Sequence, residues 1–274
     1  MKPHWQLADL RWDEIDPAAV SPELLQTVKT AALVEANSAD YVAYLRNVFD
    51  DDPEFKAAAE DWGVEEAQHG SALGRWAELV DPGFDFAAAL ARFRAGYRIP
   101  IDAQESVRGS RTGELVARCV VESGTCSFYS ALRDAAPDPV LRDICHRIAQ
   151  DEANHFRLFK THLERYQRRE PLGRWTRTRI ALGRIFETSD DELSYAYYSA
   201  NVPAHTAYDR AGHGTAYWRR AMSFYAQRHL QGAAHMVSQA IGSARLGRYT
   251  RQIGRLLYLA TRWRLRRLEA AGAA

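Results

Sequence analysis

The sequence predicts an all-α protein built on a four-helix bundle, and three observations carry that prediction. Apolar residues recur at helical spacing along most of the chain, while alternating strand patterns are scarce. Three helix starts pair a capping residue with proline at the first helical position: Ser21-Pro22, Asp52-Pro53 and Asp138-Pro139. Short links join the first long helix to the second and the third to the fourth, and a long link joins the second to the third. That is the connectivity of two antiparallel hairpins with one long crossover.

The elements follow in order. The first helix is expected from Pro22 to about Phe49, before the link Asp50-Asp51-Asp52. The second runs from Pro53 to about Val80, and the crossover over residues 81–112 holds a short helix around Phe86–Tyr97. The third spans about Gly113–Leu132, between Arg108-Gly109-Ser110-Arg111 and Ala136-Pro137, and the fourth runs from Pro139 to about Tyr166. Residues 20–168 are thus the expected bundle, and 171–274 a basic helical extension packed on it. In the extension, Ser189-Asp190-Asp191-Glu192 reads as a capping box and Asn201-Val202-Pro203 as a helix end. Residues 215–270 read as long helices broken near Gly242–Gly247.

Composition removes several classes. With 274 residues, 46% hydrophobic and 26% charged, the chain can bury a real core and is neither a disulfide-stapled miniprotein nor wholly disordered. Three cysteines without a Cys-x-x-Cys pair exclude a zinc ribbon, a rubredoxin-type iron site and an iron–sulfur module. No apolar run follows Lys2 and none is long enough to span a bilayer, so neither a signal peptide nor a transmembrane segment is expected, and the setting is expected to be cytoplasmic. Charge is unevenly placed. Residues 171–274 hold sixteen arginines, no lysine and six acids, a net +10, which leaves −9 on the first 170. Arg245, Arg248, Arg251 and Arg255 form a stripe beside Leu256, Leu257, Leu259 and Trp263. It could meet an acidic carrier protein, an anionic membrane surface or nucleic acid, or be a solvated face.

The chemistry lies in a repeated pattern. The second helix carries Glu65-Glu66-Ala67-Gln68-His69 and the fourth Asp151-Glu152-Ala153-Asn154-His155. Residues three apart share a helix face, so Glu66 with His69, and Glu152 with His155, can aim at one point. The first and third helices each place one carboxylate, Glu35 and Glu122, in an otherwise apolar stripe. Glu35 precedes Glu66 by 31 residues and Glu122 precedes Glu152 by 30, so each hairpin brings its carboxylates to the same depth. Ionised carboxylates in a core cost several kcal/mol each unless a cation sits among them. Two metal ions would satisfy four carboxylates and two imidazoles, and this donor mixture suits iron or manganese better than calcium or magnesium. Metal-bound histidine usually donates its second ring N–H to a carboxylate. Asp151 is therefore expected to orient His69, and Glu65 to orient His155.

These motifs resemble the ferritin-like di-iron carboxylate superfamily, most of all the soluble acyl-carrier-protein desaturases. The likeness rests on Trp62-Gly63-Val64-Glu65-Glu66-Ala67-Gln68-His69-Gly70, on Glu122-Ser123-Gly124-Thr125, and on Ile144-Cys145 through Ile148-Ala149 to Asp151-Glu152 and His155. It covers residues 25–165, about half the chain. It implies a ferritin-like bundle with Glu35, Glu66, His69, Glu122, Glu152 and His155 as ligands to two iron ions, with manganese an option at one position. Thr125 would stand beside the oxygen pocket and Trp62 on an electron path. It also implies an oxygen-dependent oxidoreductase that desaturates or hydroxylates an acyl chain carried by an acidic carrier protein. Electrons would come from an external ferredoxin-type donor, since the chain has no flavin or nicotinamide fingerprint. There is room for a homodimer, and nucleic acid is not an expected partner. An iron-handling ferroxidase, and oxygenases of the arylamine N-oxygenase, aldehyde-deformylating or tRNA-hydroxylase type, use similar ligands and stay open. Residues 171–274 lie outside the resemblance.

Secondary candidates read mostly as packing. Cys119, Cys126 and Cys145 fall on the ligand side of their helices, where core placement is expected. His162 reads as a satisfied second-layer histidine. Tyr195, Tyr197, Tyr198, His205 and Tyr208 read as a packing cluster.

Overall fold

A computed structural model describes residues 4–187 and 191–272, and within them the chain is an all-α helical bundle without β-strand. Three single 3-10 turns between Leu7 and Ala19 lead into α1 (Pro22–Glu35), α2 (Ser38–Val48), α3 (Pro53–Val80) and α4 (Phe86–Gly96). Then come α5 (Arg111–Ala135), α6 (Pro139–Arg169), α7 (Arg174–Phe186) and α8 (Asp191–Asn201). The chain ends in α9 (Arg210–Ser223), α10 (Gln227–Ala240), α11 (Ala244–Arg248) and α12 (Thr250–Gly272). It divides into two compact units: Met1–Ser106 with Ala136–Ile148 and Thr188–Tyr217, and Val107–Ala135 with Ala149–Glu187 and Trp218–Ala274.

In the first unit the expected caps hold. Ser21 Oγ accepts from the Leu24 N–H at 3.3 Å, and Asp52 Oδ1 from the Phe55 N–H at 3.0 Å. Each satisfies an amide that the helix start leaves open. Lys29, midway along α1, donates to Asp81 just past α3, while Glu35 at the end of α1 lies beside Glu66 inside α3, so the two helices run antiparallel. This bond holds the Asp81 carboxyl below its ordinary pKa. Leu33, Phe93, Ala89 and Ala196 form a buried cluster joining α1, α4 and α8. Burying Phe93 alone contributes about 1.5–3 kcal/mol. Asp138 ties three segments together, accepting from Asp16 N, Trp76 Nε1 and Leu141 N at 2.8, 2.9 and 2.7 Å.

The first helix does not continue to Phe49. It stops at Glu35 and restarts at Ser38. The break is held from outside the helix: Ser38 Oγ donates to the Gly63 carbonyl at 3.0 Å, and Arg94 Nη2 donates to the Ala36 carbonyl at 2.7 Å. These partners replace the carbonyl and hydroxyl bonds an unbroken helix would offer.

In the second unit Thr112 Oγ1 donates to the Glu170 carbonyl at 2.8 Å, setting the start of α5 beside the end of α6. Arg108 closes a two-pronged pair with Glu187 at 2.6 Å on each arm, which lowers the Glu187 pKa. α10 packs on α5 and α12, and α7 on α5. Gly254 is required at the α10–α12 crossing, because a Cβ there would lie 2.7 Å from Gln231 Cα. The expected arginine stripe is interrupted: Arg245 and Arg248 belong to α11, and Arg251 and Arg255 to α12. Gly242, at φ +68°, turns the chain between α10 and α11 in a conformation that favours glycine. The capping box expected at Ser189–Glu192 falls partly outside the described residues.

Candidate metal centre

The first unit brings Glu35, Glu66 and His69 together. Glu35 is the last residue of α1, and Glu66 and His69 lie one turn apart on α3. Gly70 allows this approach: a Cβ on it would sit 2.5 Å from Ala36 N and 2.7 Å from Ala36 Cβ. The three side chains retain 4%, 8% and 0% exposure, so none turns to solvent. Their ligand atoms lie within 4.8 Å of one another, and Glu35 Oε2 is 3.6 Å from His69 Nδ1.

The second unit repeats the arrangement. Glu122 on α5 meets Glu152 and His155 on α6, with exposures of 1%, 1% and 2%. Their ligand atoms also lie within 4.8 Å of one another. His155 Nδ1 is 3.7 Å from Glu122 Oε2 and 3.9 Å from Glu152 Oε1.

These imidazole–carboxylate distances are too long for hydrogen bonds. They match donors spread around a cation, whose bonds of about 2.1 Å would close them with small side-chain shifts. Buried carboxylates with imidazole are a donor set for a transition metal, and the residues present fit that group. The clusters can hold metal.

Neighbouring groups shape each cluster. Thr125, one turn after Val121 on α5, donates its hydroxyl to Glu152 Oε2, and the Val121 and Glu122 carbonyls stand at 3.3 Å as alternative acceptors. Trp62 is buried on α3, one turn before Glu66. Glu65 and Asp151 are both buried, and His4 Nδ1 lies 3.6 Å from Glu65 Oε1. Trp5 is a contact that sequence reasoning missed. Its ring stacks on His69, with centroids 6.2 Å apart and planes 7° from parallel. Gln68 Nε2 donates to the Trp5 carbonyl at 2.9 Å, and Arg147 lies 5.8 Å from the indole centroid. No periodicity signals this, because the docking segment is not helical at Trp5.

The secondary candidates are structural. Burial, then the Glu122 charge, pushes the Cys119 thiol far above its ordinary pKa. Cys126 is pushed up to about 11 by burial and then by the Glu152 and Glu122 carboxylates. Cys145 is buried. His162 has Arg165 Nη2 at 2.8 Å from its Nδ1. Tyr195, Tyr198 and Tyr208 pack ring to ring, Tyr197, Tyr198 and Tyr208 lie against the His213 ring, and His205 is exposed.

A pocket of about 210 Å³ opens beside the second triad, between α5 and α10. Cys126, Ser127, Gly232 and Met236 line it together with the polar Arg133, Asp134, Arg228 and His229. Its wall at Cys126 feels the charge of Glu122 and Glu152. No helix among the described residues is long and apolar enough to cross a membrane. Comparison with protein-family models found no match, and comparison with curated proteins found none either.

Proposed function

We propose that the chain is an oxygen-dependent di-iron oxidoreductase of the acyl-desaturating or hydroxylating kind. The observation that carries this reading is the duplicated buried triad, one glutamate plus a Glu-x-x-His in each unit. Glu35, Glu66 and His69 would hold one iron, and Glu122, Glu152 and His155 the other. Matched sequence spacing in the two hairpins supports treating the triads as equivalent halves. Bound iron would supply the redox chemistry that reduces oxygen.

The chain's own residues do the rest. Burial of all six proposed ligands keeps bulk water away from them. Thr125 holds a proton on one oxygen of Glu152, which fixes that carboxylate's orientation and draws charge from it. The Trp5 indole restrains the His69 ring plane. Asp151 and Glu65 are the proposed acceptors for the second ring N–H of the two histidines. The pocket at Cys126, four residues past Glu122 on α5, is the proposed entry for a substrate; its wall mixes small groups with the charged Arg133, Asp134 and Arg228. An acyl chain would enter there, delivered by an acidic carrier, with electrons from an external donor.

Aerobic incubation of the reduced, iron-loaded chain with acyl-carrier substrates, followed by mass analysis, tests the reading. Loss of two hydrogens identifies desaturation and gain of one oxygen identifies hydroxylation. An unchanged acyl chain with rapid ferrous oxidation refutes the oxygenase reading in favour of iron handling.

A further inference from the structure

We infer that the outer face of α12 is a docking surface for an anionic lipid bilayer. The helix has two apolar seams. One runs through Gly254, which packs on α10, and Leu265, which is buried. The other lies on the opposite side, where Leu256, Leu259 and Trp263 stand at positions three and four apart and are 66%, 54% and 61% exposed. Packing within the unit explains the first seam and leaves the second to solvent, where an apolar stripe of this length marks a contact surface.

The charges beside the stripe select the occupant. Arg255, Arg262 and Arg266 project along one flank, and Arg264 and Arg267 along the other. Arg267 lies 4.7 Å from the Trp263 ring centroid and Arg264 4.0 Å from that of Trp218, so these cations are anchored to aromatic surfaces. The helix holds six arginines, and its one acid, Glu269, comes near its end. A second copy docked on the same face would oppose arginine to arginine. Nucleic acid would match the arginines but not two leucines. An interfacial helix needs this combination: leucine and tryptophan sunk to the acyl boundary, arginines on both sides reaching lipid phosphates. The inference does not depend on the metal reading.

Flotation of the full chain with vesicles tests it. Binding is expected to vesicles of phosphatidylcholine containing phosphatidylglycerol, to fall with rising salt, and to be absent with phosphatidylcholine alone. Leu259→Ser with Trp263→Ser should abolish flotation while the circular dichroism and melting temperature stay at wild-type values. Each of Arg255→Gln and Arg262→Gln should lower the partition coefficient about fivefold, the equivalent of ~1 kcal/mol per arginine near a charged surface. Flotation unchanged in the double variant overturns the proposal. So does a wild-type dimer that the same double variant splits, or binding of a soluble acidic carrier protein that the double variant abolishes.

Discussion

Replacing Gly70 by alanine isolates the approach of α1 to α3 that assembles the first triad. The new Cβ would lie 2.5 Å from Ala36 N and 2.8 Å from Ala36 Cα, both backbone atoms. Ordinary carbon contacts are about 3.5–4.0 Å, so the helices must part by about 1 Å. Glu35 immediately precedes Ala36 and moves with it. Metal–ligand bonds tolerate about 0.2 Å, so a shift of that size removes Glu35 from the ion unless its side chain re-extends. We expect metal affinity at this triad to fall about 10–100-fold, comparable to other losses of ligand support. Stability moves less: overpacking costs about 1–3 kcal/mol, while exchanging glycine for alanine in a helix returns about 1 kcal/mol. Gly124→Ala is the internal control. It lies in α5 two residues after Glu122, and a Cβ there meets nothing within 4 Å. This variant should gain about 0.5–1 kcal/mol and keep its metal. Cobalt(II) or ferrous titration with thermal melts of the metal-free forms reads both quantities. If Gly70→Ala melts higher, as Gly124→Ala should, and binds metal as tightly as wild type, the close approach is not what positions Glu35.

Metal itself should stabilise the fold. At a free concentration one hundred times Kd, one ion adds about 2.7 kcal/mol, or roughly 5–10 °C in Tm for a chain of this size, and an unchanged Tm would remove the metal reading. His69→Ala and His155→Ala should each lower the bound metal by one ion per chain, measured by elemental analysis. Thr125→Val should weaken metal binding at the second triad about tenfold or more through loss of a charge-assisted hydrogen bond, and Thr125→Ser should restore it. Acid should loosen α10 from α5 in two stages. Burial lowers the His229 pKa, against the opposing hydrogen bond to Asp134, so its contribution is complete above an unfolded value of about 6.5 and is lost as pH falls below it. Asp134 resists burial through hydrogen bonds from His229, Arg228 and Arg133 that hold its pKa far below normal, so its share is present above about pH 4 and lost further down. A melting temperature flat from pH 7 to pH 4 would contradict the first stage, and Asp134→Asn should erase the second.

Local signals in the chain were enough to locate the starts of α1, α3 and α6. Asp52 and Asp138 cap the helices their Asp-Pro pairs announce, because a capping bond reaches only three residues. The six proposed ligands are buried as the apolar stripes around Glu35 and Glu122 require, and each Glu-x-x-His meets its own hairpin's lone glutamate. The break after Glu35 was not legible, since Ser38 and Arg94 enforce it through contacts with residues 25 and 58 positions away. Trp5 was missed for the same reason: it is 64 positions from the histidine it stacks on, and nothing in its neighbourhood encodes that distance. The division of the arginine stripe between α11 and α12 reflects the turn at Tyr249, which the three-to-four arginine spacing conceals.

The stacking of Trp5 on His69 has a practical side. A bulky fusion partner placed ahead of Trp5 competes with the seating of the indole, and a preparation made that way would register as a poor metal binder for reasons unrelated to its ligands. Purification handles belong at a site remote from this arm, and any handle already there should be cut off before metal content is judged.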